Sequence, residues 1–264
     1  MTEGYQNGFE CQCLNKQYET RSGPIFAIED VSFIVRHCEF VCIVGPSGCG
    51  KTTLLKLIAG LVQPTSGRIV FGREAGSSGL RSALVFQEHG LFPWMTVLDN
   101  VAFGLEMLGV DRRERIKRAG AFIETVGLTS FSHNYPAELS VGMRQRVGIA
   151  RAFVADPRIL LMDEPFGSLD AQTRAVLQHE LLRIWREHQK SVVFVTHDVE
   201  EALLLGDRVI VMSGRPGRIL EQFPVIVSRP RDRMEGNDSE LKEIRWKIWT
   251  LLEQEVRKGL AMPY

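Results

Sequence analysis

Apolar residues along the chain fall into short unbroken runs separated by stretches of helical period. Phe40-Val41-Cys42-Ile43-Val44, Arg158-Ile159-Leu160-Leu161-Met162 and Ser191-Val192-Val193-Phe194-Val195-Thr196 are nearly continuous. That pattern suits strands covered on both faces of a parallel sheet. Residues 171–188 read as the helix between the last two runs and complete a strand–helix–strand unit. Leu54, Leu55, Leu57 and Ile58 predict a helix directly after the first run. Ser82 to Phe86 and Arg208 to Met212 predict further strands. From about Val97 to Leu128 the pattern is helical, with Val97, Val101, Leu105 and Leu108 on one face and Ile116, Phe122, Ile123 and Val126 on another. Val141 to Phe153 is a further helix. Upstream, residues 10–36 read as short strand-like pieces and Arg68 to Phe71 as another. Residues 213–236, rich in Pro, Gly and Arg, read as loop and edge strand. Leu241 to Val256 is an amphipathic helix whose Trp246 and Trp249 are expected to serve packing.

Composition narrows the class. The 264 residues, 44% hydrophobic and 24% charged, are those of a globular protein of one large or two small domains. Lys plus Arg equals Asp plus Glu at 32 each, which argues against a dominant nucleic-acid-binding face. The five cysteines, Cys11, Cys13, Cys38, Cys42 and Cys49, are odd in number, and reduced thiols fit them better than a disulfide framework. No run approaches the roughly 18 apolar residues of a membrane span, so work at a membrane requires a partner. The charged cluster from Arg112 to Arg118 is the solvated face of a helix.

The chemistry centres on Gly45-Pro46-Ser47-Gly48-Cys49-Gly50-Lys51-Thr52-Thr53. Strand before, glycine-rich turn, helix after: in this context the motif predicts a phosphate site. Gly45, Gly48 and Gly50 let the backbone curl so that several N–H groups converge, and the helix adds its positive dipole end. Lys51 is placed to reach the β- and γ-phosphates of a bound nucleotide, and the Thr52 hydroxyl to ligate Mg²⁺. Downstream, Leu160-Leu161-Met162-Asp163-Glu164 is an apolar strand ending in two carboxylates, at the sheet edge where ligands of open α/β sheets bind. Alternation along a strand sends Asp163 toward the magnesium shell and Glu164 toward the γ-phosphate as general base. Gln87 follows a strand and offers an amide to Mg²⁺ or water. His197, after Val195-Thr196, offers an imidazole to the γ-phosphate or the attacking water. By chemistry alone both residues also have ordinary structural explanations.

The order of these motifs resembles the nucleotide-binding subunit of ABC transporters from about residue 11 to 223. Gln87 matches the Q-loop glutamine, Leu139-Ser140-Val141-Gly142-Met143-Arg144-Gln145-Arg146 the signature segment, Ile159 to Glu164 the Walker B strand, Ser168-Leu169-Asp170 the D-loop, and His197 the switch histidine. The resemblance implies an α/β P-loop NTPase of the ABC-ATPase fold, with a parallel β core, an antiparallel β front and a helical signature subdomain. It places an ATPase domain at 10–236, its helical subdomain at about 88–155, and a C-terminal helical tail at 237–264. It assigns Tyr18 to stacking on adenine, with Phe26 as competitor, and assigns Ser140 and Gly142 to the ATP of the opposite subunit. One departure is Val141, where the family signature has a glycine. A β-branched residue there is expected to slow hydrolysis.

Leu91 to Val101, Gly142 to Ala152 and Val211 to Ile219 are similar to the nitrate/sulfonate/taurine-type importers. That likeness implies a homodimer of ATPase subunits, transmembrane permease subunits, a periplasmic or extracytoplasmic solute-binding protein, and a peripheral place on the cytoplasmic face of the inner membrane. It implies no nucleic-acid partner. Coupling to the permease is expected near Gln87 and Phe92-Pro93-Trp94, although Phe92 and Trp94 read equally well as core. A soluble ABC-type ATPase acting on nucleic acid or ribosomes is the alternative. It is disfavoured by the single phosphate loop and the zero net charge. A small-molecule kinase leaves the signature segment without a role.

Overall fold

The computed structural model describes residues 8–21, 23–72, 80–86, 90–229, 231 and 239–261. The chain divides into two compact units, one made of Met1–Gly76 with Ser191–Tyr264 and the other of Ser77–Lys190.

In the first unit, β1 (Phe9–Thr20) and β2 (Gly23–Val35) form one long antiparallel hairpin, and β4 (Ser66–Phe71) pairs on the other side of β1. The sequence pattern over 10–36 suggested short pieces. The register shifts between Cys11 and Leu14 and between Leu14 and Lys16 break the alternation without breaking the strand. Pro24 is tolerated because β2 is an edge strand, with order β2-β1-β4.

The second sheet of this unit centres on β3 (Phe40–Val44), every residue of which is buried. It lies between β7 (Ser191–Thr196) and β8 (Arg208–Met212), parallel to both. Antiparallel β9 (Ile219–Pro224) pairs with β8. One arginine ties these pieces together. Arg208 Nε meets the Glu39 carboxylate at 2.9 Å, while its Nη atoms donate to Gln222 and to the Ile34 carbonyl of β2. Helix α1 (Lys51–Ile58) follows β3, and α6 (Val199–Leu205) follows β7. The C-terminal helix α7 (Ser239–Ala261) is longer than its apolar pattern suggested, and it packs on α6 and β8. The Glu255 carboxylate of α7 accepts the Gly214 N–H at 2.9 Å.

The second unit holds parallel strands β5 (Ser82–Val85) and β6 (Ile159–Asp163) with four helices: α2 (Val97–Met107), α3 (Arg112–Thr125), α4 (Val141–Val154) and α5 (Ala171–His188). The single helical stretch read over 97–128 is two helices. Gly109, at φ +74°, ends the first, and the Asp111 carboxylate caps the second by accepting the Arg113 N–H at 2.8 Å. Asn100 is fully buried, and its side chain bonds Phe92 N and O, Met95 O and Thr96 O. This ties the Phe92–Thr96 loop to α2. Among the described residues, no helix is long and apolar enough to cross a membrane, and all five cysteines are free.

Candidate functional site

The phosphate loop leaves the carboxyl end of β3 and enters α1 through three glycines that act for three different reasons. Gly45 has no room: a Cβ there would lie 2.9 Å from Cys49 Sγ and 3.1 Å from the Met212 carbonyl. Gly48 has open space but φ +75°, which disfavours any L side chain. Gly50 has both constraints, with φ +104° and a would-be Cβ 2.6 Å from the Ala27 carbonyl. Gly50 is also the N-cap of α1, where it supplies no side-chain acceptor, and the first turn carries no acidic residue. The helix therefore presents its amides with no carboxylate in competition.

Lys51 is 94% buried, and its ammonium lies back in the loop, donating to the Gly45 carbonyl at 2.8 Å and the Pro46 carbonyl at 3.0 Å. Beside it, burial raises the Cys49 thiol above its ordinary value, an effect the Lys51 ammonium opposes. Ser47, Gly48 and Thr52 are exposed on the open side, and Pro46 and Thr53 are half-buried. A glycine-rich curl with a lysine at its centre, opening a helix with no acidic residue in its first turn, is a cradle that fits a polyphosphate.

His197 comes off β7 next door. Val44 pairs with Thr196, so the chain segments that begin at Gly45 and His197 leave neighbouring strands at the same end. His197 is exposed, and Asp198 after it caps α6 by accepting the Glu200 and Glu201 N–H groups. On the antiparallel sheet, Tyr18 of β1 and Phe26 of β2 are both exposed. The Lys16 ammonium lies 4.9 Å from the Tyr18 ring centroid, which adds a cation beside that aromatic face.

In the second unit, Asp163 is the buried last residue of β6. Glu164 does not continue the strand as alternation assumed: it takes φ +43°, left-handed for a non-glycine residue, and its carbonyl accepts the Gly167 N–H. The two carboxylates are separated by that backbone turn rather than by the pleat. Strand β5 ends at Val85, level with Met162 of β6; Gln87 lies outside the described residues.

Ser140 is the exposed N-cap of α4, its hydroxyl accepting the Met143 N–H at 3.3 Å. Val141 is 38% exposed at the first helical position. A Cβ on Gly142 would stand 3.0 Å from Thr173 Cγ2 of α5. Asp170 caps α5. Phe92 packs against Phe103 at 4.6 Å between centroids, whereas Trp94 is exposed. Among the described residues, no group of three or more His, Cys, Asp or Glu side chains forms a metal centre. Magnesium is commonly held by one or two protein oxygens plus substrate phosphates, and the Thr52 hydroxyl and Asp163 carboxylate are oxygen donors of that kind.

Two residues that support these elements had no supporting role assigned from the sequence, where Gly217 falls in the Val211 to Ile219 stretch similar to the importers and Arg231 in a loop-like segment. Gly217, in the β8–β9 connection, donates to the Ala27 carbonyl at 3.0 Å and accepts the Glu29 N–H at 3.0 Å. A Cβ on it would fall 2.1 Å from the Cys49 carbonyl, directly against the phosphate loop. Arg231 is buried, and its guanidinium donates to the carbonyls of Val227, Leu203, Gly206 and Val225. Burial brings its pKa down to about 10.

Comparison with known proteins agrees with this arrangement. The ABC transporter family model matches residues 28–167. An uncharacterized ABC transporter ATP-binding protein of Methanocaldococcus jannaschii is 50% identical, over 94% of this chain and 92% of that protein. A nitrate import ATP-binding protein of Synechocystis is 47% identical, over 80% of each. A taurine import ATP-binding protein of Pelagibacter ubique is 44% identical, over 89% of this chain and 87% of that one. Among solved structures, a dimeric post-hydrolysis state of an ATP-binding cassette bound to ADP and Pi superposes with a TM-score of 0.72 at 31% identity, covering 83% of this chain and all of that one. The chain belongs to the ABC transporter family, and within it to the ATP-hydrolysing cassettes.

Proposed function

We propose that the protein is the ATP-hydrolysing subunit of an importer, working as a homodimer with transmembrane permease subunits and an extracytoplasmic solute-binding protein. The solute is a small molecule of the nitrate, sulfonate or taurine kind, in keeping with the names of the relatives. The subunit sits peripherally on the cytoplasmic face of the membrane. The observation that carries this reading is the Lys51 ammonium held at 2.8 Å and 3.0 Å inside a loop whose amides have no acidic side chain to compete for them.

Incoming phosphates draw Lys51 from those carbonyls onto the β- and γ-phosphates, and the α1 amides bind phosphate oxygens. Magnesium, when bound, spreads the charge that develops on the transferring phosphoryl group. Thr52 and Asp163 are the residues assigned to hold it, together with Gln87 from its place in the sequence. Glu164 accepts the proton of the attacking water, and His197 steadies the γ-phosphate. Tyr18 stacks on adenine. Ser140 and the amides at the start of α4 bind the γ-phosphate held by the second copy, with Gly142 leaving room beside them. The exposed Trp94 and the loop fastened by Asn100 face the permease.

Glu164→Gln tests the assignment. The variant should retain ATP and form a nucleotide-dependent dimer in size-exclusion chromatography, yet lose turnover by about 10²- to 10⁴-fold, the worth of general base catalysis. Normal hydrolysis by this variant removes Glu164 as base. Lys51→Ala with unchanged turnover removes the nucleotide site itself.

A further inference from the structure

Helix α7 buries Ile248 completely but leaves Trp246 and Trp249 67% and 57% exposed. Two indoles shown to solvent on one helix are a large apolar display that folding alone does not explain. Lys242, Arg245, Trp246 and Trp249 recur at helical spacing, so they share one face. With His197, Asp198 and Glu200 they line a cavity of about 680 Å³. It is an open groove rather than an enclosed chamber, and its volume and aromatic wall suit a small planar molecule laid against them.

The charged groups of the wall differ in how far they are engaged. The Asp198 carboxylate accepts the Glu200 N–H at 2.8 Å and the Glu201 N–H at 3.2 Å. The Glu200 carboxylate lies 2.7 Å from Arg245 Nε. The Glu200 carboxylate is thus paired with Arg245 and the Asp198 carboxylate is engaged by two backbone N–H groups, whereas Lys242 is exposed with no ion-pair partner among the described residues.

We propose that this cavity binds a flat, aromatic or heterocyclic monoanion, a carboxylate or sulfonate, at a site beyond the nucleotide cradle. The anionic group pairs with Lys242 and the planar body lies on the indoles of Trp246 and Trp249. The occupant abuts His197, so binding acts on the residue assigned to the γ-phosphate. This consequence, unlike the site itself, rests on the function proposed above.

The test uses naphthalene-2-sulfonate and its cationic counterpart 2-naphthyltrimethylammonium, read by indole fluorescence in full-length Trp94→Phe protein without nucleotide. The sulfonate should quench saturably with a dissociation constant on the order of 0.1 mM, the affinity suited to a ligand of that size. Lys242→Ala and Trp249→Ala, both at exposed positions, should each weaken it about tenfold. Absence of saturable quenching up to about 10 mM overturns the site. Equal or tighter binding of the cation, or sulfonate binding unaffected by Lys242→Ala, overturns the anion assignment. The same sulfonate should slow ATP hydrolysis; quenching with unchanged hydrolysis overturns the link to His197.

Discussion

Gly217→Ala is the substitution by which the tertiary structure makes its sharpest demand. Gly217 is far in sequence from the phosphate loop, and its backbone is held on both sides by Ala27 and Glu29 at 3.0 Å. An added methyl group would lie 2.1 Å from the Cys49 carbonyl and 2.8 Å from Met212 Cε. The methionine terminus can swing away, but the carbonyl belongs to the loop backbone. Restoring even a 3.0 Å separation needs a relative displacement of about 0.9 Å. The loop is also closely packed at Gly45 and Gly50, where an added Cβ would lie 2.9 Å from Cys49 Sγ and 2.6 Å from the Ala27 carbonyl, so a shift there meets further contacts. Overpacking of this kind costs about 1–3 kcal/mol of stability. A displacement near 1 Å in a positioning element costs about 10²-fold in rate, equivalent to about 2.7 kcal/mol of barrier. Steady-state ATPase and isothermal titration with ATP on the purified variant measure both effects. Gly120→Ala is the control: it sits in α3 with nothing within 4 Å of an added Cβ, and there alanine should stabilise by up to about 1 kcal/mol with unchanged hydrolysis. Wild-type affinity and turnover in Gly217→Ala would refute the claim that this glycine sets the position of the cradle.

Val141→Gly should raise turnover about fivefold if the β-branched side chain costs about 1 kcal/mol at the opposing nucleotide; an unchanged or lower rate with the permease present counts against crowding. Arg231→Met strips donors from four carbonyls, two of them, Leu203 and Gly206, at the end of α6. It should lower stability by about 3 kcal/mol in urea unfolding, and a loss below about 1 kcal/mol would show that water replaces the guanidinium. The Thr173 N–H holds the Asp170 carboxylate below its ordinary value of 3.8. A lowered carboxylate stabilises the fold above that value, and the contribution disappears as pH falls through the folded-state value. Asp170→Asn, which caps without ionising, should remove that part of the acid dependence in circular dichroism; an identical acid profile would remove Asp170 as its source.

Local chemistry made much of this protein legible in the sequence. The continuous apolar runs became β3, β6 and β7, because a short strand covered on both faces tolerates apolar residues at every position. The glycines ahead of Lys51 announced a backbone that other residues cannot follow, and two of them do take positive φ. Long-range geometry stayed out of reach. Whether a residue is squeezed by another part of the chain depends on which segments meet. Gly217 against Cys49, Arg231 under the end of α6, and the tryptophan face of α7 beside His197 are such meetings. The left-handed turn at Glu164 is likewise held by its surroundings, since a glutamate has no propensity of its own for it. Sequence alone determined where the candidate phosphate loop lies, because a glycine-rich turn and a helix start are properties of adjacent residues. The tertiary structure decided what supports that cradle from behind, because steric exclusion acts between atoms close in space and far apart along the chain.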